Sequence, residues 1–319
     1  MSRKVIQRSF GGPDVFEVID SPDVRSEDLG PDEVLVRVSY AGINPVDAKT
    51  RAGKGVAGLM GEFPFTVGWD LSGTVASVGG HVSELTVGDR VFGMSRFPHE
   101  AAAYAEFAVV AAADMVRIPD SVSDESAAAL PLASLTAWLQ LVETAGLKRG
   151  DRVLVHGAGG GVGHLAVQIA HDIGATVVVT ASKAKHGWLS DLGADQTIDY
   201  STENFADVLR DEPVDVVLDL ISSTGAAKSF AITKPGGTVI VIPESMTKDL
   251  RDAAAAAGVR VEAPAVHLDR ESLVHIAQLA ASGVLVPTIS RVYALEQVGA
   301  AHADVEDGHT RGKTLLRVL

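Results

Sequence analysis

The stretch from Asp151 to Ala181, DRVLVHGAGGGVGHLAVQIAHDIGATVVVTA, constrains the fold of this chain more than any other. It opens on a short apolar run, Val153 to Val155, after the turn signal Lys148-Arg149-Gly150-Asp151. A run that is apolar at every position reads as a strand buried on both faces of a parallel sheet. Gly157, Gly160 and Gly163 follow at intervals of three, with Gly159 and Gly161 between them. Leu165, Ile169 and Ile173, with Val162 and Ala166, then recur at helical spacing, and Gly174 stands where a helix C-cap belongs. Thr176 to Ala181 is a second, β-branched strand. Strand, glycine turn, helix and strand make a βαβ unit of about thirty residues, the arrangement that binds a dinucleotide.

The chemistry of such a site accounts for the glycines. A pyrophosphate must come close to backbone N–H groups at a helix N-terminus, where unpaired donors and the macrodipole both favour an anion. A Cβ on the turn would hold it away, and the last glycine lets helix and strand pack. The spacing here is G-x-x-G-x-x-G rather than G-x-G-x-x-G, so the flanking strand and helix carry the reading. Sites for NAD place an Asp or Glu at the end of the second strand, against the ribose 2′-OH. This chain has Thr180-Ala181-Ser182-Lys183-Ala184-Lys185-His186 there, with no acid before Asp191. A hydroxyl and two lysines suit a 2′-phosphate, which predicts NADPH as the cofactor. The plainer alternative is that Ser182 caps the next helix and the lysines are solvated.

With 319 residues the chain is long enough for two domains, each with a sizeable core. A hydrophobic fraction of 46% and 32 glycines suit an α/β enzyme and argue against disorder. A net charge of −14 repels phosphate backbones, so no nucleic-acid partner is expected. Met1-Ser2-Arg3-Lys4 leads straight into a short strand, with no signal peptide and no apolar run long enough to span a membrane. The expectation is a cytoplasmic protein without a membrane partner. Cysteine is absent, which excludes disulfides, thiolate nucleophiles and thiolate-bound zinc.

Residues 1–122 read as β-rich. Val34, Val36, Val38 and Tyr40 alternate, Leu71 to Val78 and Ala105 to Val110 are further strands, and Val87-Gly88-Asp89-Arg90-Val91 is a turn feeding another. Many short strands with glycine turns predict a barrel-like β domain. Thr50 to Phe65, with little periodicity, reads as a mobile loop, serving either as a lid or as a simple insertion. Residues 123–262 form the second domain, opened by one helix over Asp124 to Val142 with Ser123 or Asp124 as its N-cap. Strands follow at Thr197 to Asp199, Val214 to Leu220, Thr238 to Ile242 after the turn Lys234-Pro235-Gly236-Gly237, and Val259 to Val261. With the first two these make six, a doubly wound parallel sheet. Ligand-binding groups belong beyond the C-terminal strand ends, at Gly157 to Gly161, Leu220 to Ser223 and Pro243 to Ser245. Residues 263–319 hold two amphipathic helices, Glu271 to Ala281 and Leu295 to Asp304, and a strand at Thr314 to Val318. They are too few to fold alone and must complete one of the two domains.

Seven motifs in order give the chain a family resemblance. They are Gly42-Ile43-Asn44-Pro45-Val46-Asp47, Gly68-Trp69-Asp70-Leu71-Ser72-Gly73, Val87 to Val91, Pro131 to Trp138, His156 to Gly163, Leu192-Gly193-Ala194-Asp195 and Gly312-Lys313. The chain resembles, nearly end to end, the zinc-independent branch of the medium-chain dehydrogenase/reductase superfamily, the quinone oxidoreductase and zeta-crystallin-like enzymes. The resemblance implies an α/β fold: a GroES-like β-barrel-type catalytic domain, completed by the C-terminal segment, around a Rossmann domain with a six-stranded sheet. It also implies NADPH, a homodimer, and an electrophilic small-molecule acceptor, a quinone or enone. Zinc members carry Cys, His and Glu ligands in the β domain; here Asn44 stands at the first ligand position and Trp69-Asp70 around the second, so no metal is expected.

Residue by residue, the resemblance implies that Asn44 donates to a ribose or to substrate, where its plainer role is a turn before Pro45. Lys49 falls where some relatives carry a Tyr beside the substrate; it is either an enolate-stabilising cation or a solvated loop charge. Thr136 matches a position near the nicotinamide, or bonds within its helix. Asp47 and Asp70 read as buried structural hydrogen-bonding groups and Tyr104 as core. Gly160, Gly161, Val162 and Gly163 are expected to face the pyrophosphate, Ser182 and Lys183 the 2′-phosphate, and Tyr200 the adenosine. Leu220 and Pro243 face the nicotinamide half, Val266 to Leu268, with His267, returns toward the cofactor, and Lys313 is a cofactor contact or a surface charge. The expected reaction is a metal-free hydride transfer to a quinone or to the C=C of an α,β-unsaturated carbonyl. Two alternatives stay open, an NADPH-binding protein with little turnover and a metal-assisted alcohol dehydrogenase.

Overall fold

Val34, Val36 and Val38 are fully withdrawn from water and Arg37 is exposed, as period-two patterning predicts, although Leu35 on the other face is buried as well. The computed structural model describes residues 1–221 and 223–319, so the expectation at Ser222 lies outside the described residues. Two compact units divide the chain, Met1–Leu135 with His267–Leu319, and Thr136–Val266. The first unit opens with an antiparallel pair, β1 (Ser2–Gln7) and β2 (Phe16–Ser21). Then come β3 (Glu33–Ile43), helix α1 (Pro45–Arg51), β4 (Asp70–Val78), β5 (Arg90–Met94), β6 (Phe107–Ala111) and β7 (Met115–Arg117). The segment from Thr50 to Phe65 holds the end of α1 and a 3-10 turn at Ala57–Leu59. Its end is tied to β1 by two backbone hydrogen bonds between Gln7 and Phe65, at 3.0 and 3.3 Å.

The expected helix from Asp124 to Val142 is broken. It forms α2 (Asp124–Ala128), α3 (Pro131–Trp138) and a π-helical stretch, Leu139–Thr144. Pro131 is the reason: its ring disfavours helical backbone at the preceding residue and it has no N–H to continue the ladder. Ser123 does cap α2, its hydroxyl accepting from the Ser126 N–H at 3.0 Å. Residues 123–135 stay with the β unit because α2 packs on β3, β4 and β5, which moves the division from 122/123 to 135/136.

The second unit is a six-stranded, wholly parallel sheet. Its elements are β8 (Arg152–His156), α4 (Gly163–Ile173), β9 (Thr176–Ala181), α5 (His186–Asp191), β10 (Gln196–Asp199), α6 (Phe205–Val208), β11 (Val214–Asp219), α7 (Ser223–Phe230), β12 (Thr233–Val241), α8 (Lys248–Ala257) and β13 (Arg260–Glu262). The strand order is β10-β9-β8-β11-β12-β13, so the order reverses between β8 and β11. Val153, Leu154, Val155, Val177, Val178 and Val179 are each fully buried, and each contributes about 1.5–3 kcal/mol by leaving water. Gly174 ends α4 in the left-handed conformation, φ 87°. The turn expected at Lys234 to Gly237 is instead an interruption within β12: between the pairs Val214/Thr233 and Val216/Thr238 the register shifts, and Gly236 takes φ 80°.

The chain then returns to the first unit with α9 (Arg270–Ala281), β14 (Ile289–Ala294), α10 (Val298–Glu306) and β15 (Lys313–Arg317). The sheet there runs β14-β15-β3-β4-β5-β7, with β6 also paired to β3. The tail therefore completes the β unit, as its length required. β15 lies antiparallel beside β3, with Thr314 opposite Ile43 and Leu315 opposite Gly42. That register decides which side chains meet at the strand ends.

Candidate functional site

In the Rossmann unit the functional groups gather where the strand order reverses. Gly157 turns the chain out of β8 with φ 74°. A Cβ at Gly163 would stand 2.4 Å from the Gly157 carbonyl oxygen and 2.6 Å from the Ala158 Cα, so only glycine lets α4 begin that close to β8. The Gly160 N–H is used within the turn, donating to the Gly157 carbonyl at 3.1 Å. It is thus not the open donor the sequence suggested. Gly161 and Val162 donate to no backbone carbonyl among the described residues and remain available at the start of α4. Lys185 reaches back over the turn: its Nζ is 3.5 Å from the Gly159 carbonyl oxygen, and a Cβ on Gly159 would strike its Cδ at 2.5 Å.

Beside the turn is a cavity of about 470 Å³ lined by His156, Thr180, Tyr200, Phe205, Ile221 and Lys228, among others. His156, Thr180, Tyr200 and Ile221 come from the C-terminal ends of β8, β9, β10 and β11, where a doubly wound sheet binds ligands, and Phe205 and Lys228 from α6 and α7. Tyr200 is 63% exposed there. Ser182 is half-buried and makes no capping hydrogen bond from its side chain, while Lys183 is exposed. Leu220 is half-buried at the end of β11, Pro243 is exposed at the start of a 3-10 turn, and Thr136 is half-buried on α3. His267 is exposed and belongs to the β unit. His156 is tied to the Thr180 hydroxyl through Nδ1 at 2.9 Å, and burial lowers its pKa. An open helix N-terminus, a turn that tolerates no Cβ and a strand-end cavity fit a dinucleotide. Gly161, Val162 and Gly163 would hold its pyrophosphate and Ser182, Lys183 and Tyr200 its adenosine end.

In the β unit a second cluster forms because three strands end on the same edge. Asn44 follows the last residue of β3, Asp70 opens β4 and Lys313 opens β15. Gly42 faces Asp70 across the β3–β4 pair, and a Cβ on it would stand 2.5 Å from the Ala128 carbonyl oxygen and 2.9 Å from the Asp70 Cβ. The Asn44 Nδ2 donates to Asp70 Oδ2 at 2.8 Å. The Lys313 ammonium donates to the Asn44 Oδ1 and, at 3.1 Å, to the Ile43 carbonyl. The Leu132 N–H donates to Asp70 Oδ1 at 3.0 Å. Lys313 is therefore no surface charge: it is 2% exposed, as is Asn44, and Asp70 is fully buried. Burial raises the Asp70 pKa against the opposing charge of Lys313, and burial lowers that of Lys313 against the opposing charge of Asp70.

The cluster continues inward. Asp47 Oδ2 accepts from the Asn44 backbone N–H at 2.6 Å and from the Tyr104 hydroxyl at 3.0 Å, while its Oδ1 has no partner among the described residues. Burial pushes Asp47 up to about 7, with the nearby Asp70 charge adding to it. Tyr104 meets His302 Nε2 at 3.2 Å, and its pKa is raised well above its ordinary value, by burial first and by Asp47 next. Burial, with the Arg51 charge, lowers His302 to about 3. Arg51, 2% exposed, forks onto Glu306 at 2.7 and 3.1 Å. Asp47 and Asp70 are buried hydrogen-bonding groups, as the sequence suggested, but Tyr104 is more than core because its hydroxyl is shared. Lys49 is set apart, lining a cavity of about 290 Å³ with Ala52, Lys54 and Glu306, among others, that does not include Asn44. Arg51 and His302 gave no sequence signal beyond a histidine on an apolar helix face. Among the described residues no three His, Asp or Glu side chains group as a metal site requires.

A GroES-like β unit and a parallel nucleotide-binding sheet with this glycine turn define the class of nicotinamide-dependent oxidoreductases. Residues 30–120 match the alcohol dehydrogenase GroES-like domain, and 192–316 match a family described as zinc-binding dehydrogenase. The quinone oxidoreductase of Sus scrofa is 31% identical, over 97% of this chain and 95% of that protein. The structure of the quinone oxidoreductase from Coxiella burnetii superposes with a TM-score of 0.93 at 34% identity, covering 100% of this chain and 99% of that one. That of the Escherichia coli quinone oxidoreductase complexed with NADPH gives 0.88 at 26% identity, covering 99% and 100%. The chain belongs to the quinone oxidoreductase family of the medium-chain dehydrogenases/reductases.

Proposed function

We propose that the protein is an NADPH-dependent reductase that delivers a hydride, without a metal, to a quinone or to the C=C of an α,β-unsaturated carbonyl. The observation that carries NADPH over NADH is the end of β9, where Ser182 and Lys183 stand in place of the carboxylate that would favour a free 2′-hydroxyl. When bound, the nicotinamide supplies the hydride. The residues of this chain do the rest. Gly161 and Val162 offer N–H groups to the pyrophosphate, and Tyr200 lines the cavity assigned to the adenosine. Asn44 offers an amide N–H to the acceptor's carbonyl oxygen, where negative charge grows as the hydride arrives. Asp47 and Tyr104 are fully buried, and the Lys313 ammonium is taken up by the Ile43 carbonyl and Asn44 Oδ1, so the three serve as supports rather than as proton donors. A homodimer is part of the same proposal.

The test is cofactor oxidation with 1,4-benzoquinone, a short 2-alkenal and a simple enone, run with NADPH, with NADH and after a chelator. Turnover with NADPH, weak turnover with NADH and no chelator effect are expected. NADPH binding with no acceptor reduced would favour the binding-protein alternative, and loss of activity on chelation would favour a metal-assisted dehydrogenase.

A further inference from the structure

We propose that Lys313 and Asp70 are positioning residues that lock the Asn44 side-chain amide in one orientation and so decide which of its atoms meets the acceptor. The proposal rests on the reading of Asn44 as the donor. An asparagine amide is nearly symmetric in shape, and its orientation is set by its neighbours. Here the neighbours are opposite in kind. Lys313 can only donate, and it faces Oδ1; Asp70 accepts, and it faces Nδ2 at 2.8 Å. Turning the amide over would set N–H groups against an ammonium and a carbonyl oxygen against a carboxylate, making both contacts repulsive.

Neither partner is free to follow such a turn. Lys313 is held by the Ile43 carbonyl at 3.1 Å and Asp70 by the Leu132 N–H at 3.0 Å. The backbone of Asn44 is held in its turn by Asp47 Oδ2, at 2.6 Å from its N–H. One of the two Nδ2 hydrogens goes to Asp70, and the other has no partner among the described residues. That remaining hydrogen is a donor whose direction is fixed before any ligand arrives, the condition for stabilising charge without reorganisation. A structural role alone would not need two buried opposite charges, since apolar groups of similar volume serve as well or better. The same sheet edge brings all three residues together, because β3, β4 and β15 end or begin there.

The test is a double-mutant cycle on the NADPH-loaded protein with Asn44→Ala, Lys313→Gln and the two combined, read as kcat/KM for the acceptor. If Asn44 is the donor, its loss costs on the order of 100-fold. Lys313→Gln is expected to cost about 10-fold alone and nothing further in the Asn44→Ala background, because it acts through that amide. Losses that multiply would overturn the proposal. An unchanged Asn44→Ala would remove the reading of Asn44 itself, while wild-type turnover keeps the proposed reaction standing separately. Should Lys313→Gln fail to fold, the charge-neutral pair Asp70→Asn with Lys313→Gln takes its place. A measurement on the wild type needs no variant: the chemical shifts of the two Asn44 Nδ2 protons, by nitrogen-15 NMR. One proton shifted downfield by the Asp70 carboxylate and one near the free-amide position are expected; two protons at the free-amide position would sink the proposal.

Discussion

The Lys313 ammonium stands 3.7 Å from Asp70 Oδ2, with the two side chains 2% and 0% exposed. Burial drives both groups toward neutrality, and each is restored toward its charge by the other. Such a pair adds little net stability over an apolar isostere, yet removing one member leaves a bare charge in the core. The asymmetry gives a clear expectation for single and double variants.

Lys313→Met is expected to lose about 3–5 kcal/mol of unfolding free energy, because Asp70 is left uncompensated. Adding Asp70→Asn should recover a large part of that loss. Urea denaturation of the wild type, the single and the double variant measures both steps. Equal stability of single and double would mean that the two residues are not coupled.

Stability should depend on pH through Asp47 and His302 in opposite senses. Asp47 is raised from 3.8 to about 7 in the folded state, so its contribution is full below pH 3.8 and is lost as pH rises toward 7. The whole swing is on the order of 4 kcal/mol, the product of the shift and the free energy per pKa unit. His302 is lowered from 6.5 to about 3, so its contribution is present above pH 6.5 and is lost as pH falls through 3. Between pH 4 and 6.5 the two slopes oppose each other, and above 6.5 only the loss from Asp47 remains. Asp47→Asn should therefore flatten the fall near neutral pH, and His302→Gln should flatten the acid limb. Thermal melts across pH, on the three proteins, separate the terms.

How much of this was visible in the sequence follows from where the partners lie along the chain. The nucleotide half is nearly contiguous from Asp151 to Lys185, so its turn, helix and strand ends could be read directly. The Asn44 cluster is assembled from partners 26 and 269 residues away, and no local pattern announces such a pairing. Family resemblance pointed to Asn44 and Lys313 but placed Lys313 against the cofactor or in solvent. β14 escaped notice because Ile289 to Ala294 is only half-buried and has an arginine in the middle. The misread helix beyond Asp124 had its stop in view at Pro131, where apolar periodicity outweighed the breaker.

Gly163→Ala tests the turn. The added methyl would stand 2.4 Å from the Gly157 carbonyl oxygen, and backbone rather than a pliable side chain would have to yield. A stability loss of about 1–3 kcal/mol is expected from overpacking. Affinity for NADPH should fall more than 10-fold, since displacing α4 moves the donors of Gly161 and Val162. Fluorescence titration with the nucleotide and a thermal melt on the same sample report the two effects.

Lys183 and Lys185 lie two positions apart but have different surroundings, and their substitution should give different losses. Lys183 is exposed at the start of the 3-10 turn after β9, where the ribose of a bound nucleotide would end. Its charge would serve only a cofactor with a 2′-phosphate. Lys183→Ala should therefore lower kcat/KM with NADPH about 10-fold or more, one charge-assisted hydrogen bond, and leave the value with NADH nearly unchanged. Lys185 instead lies over the glycine turn, with its Nζ 3.5 Å from the Gly159 carbonyl oxygen. A cation placed there would act on the pyrophosphate, which both nucleotides carry. Lys185→Ala should weaken NADPH and NADH by similar factors and leave their ratio where it was. The ratio of kcat/KM for the two cofactors in each variant decides the matter. If Lys185→Ala alone collapses the preference, the 2′-phosphate is held by the lysine that reaches the turn, and Lys183 is a solvated charge.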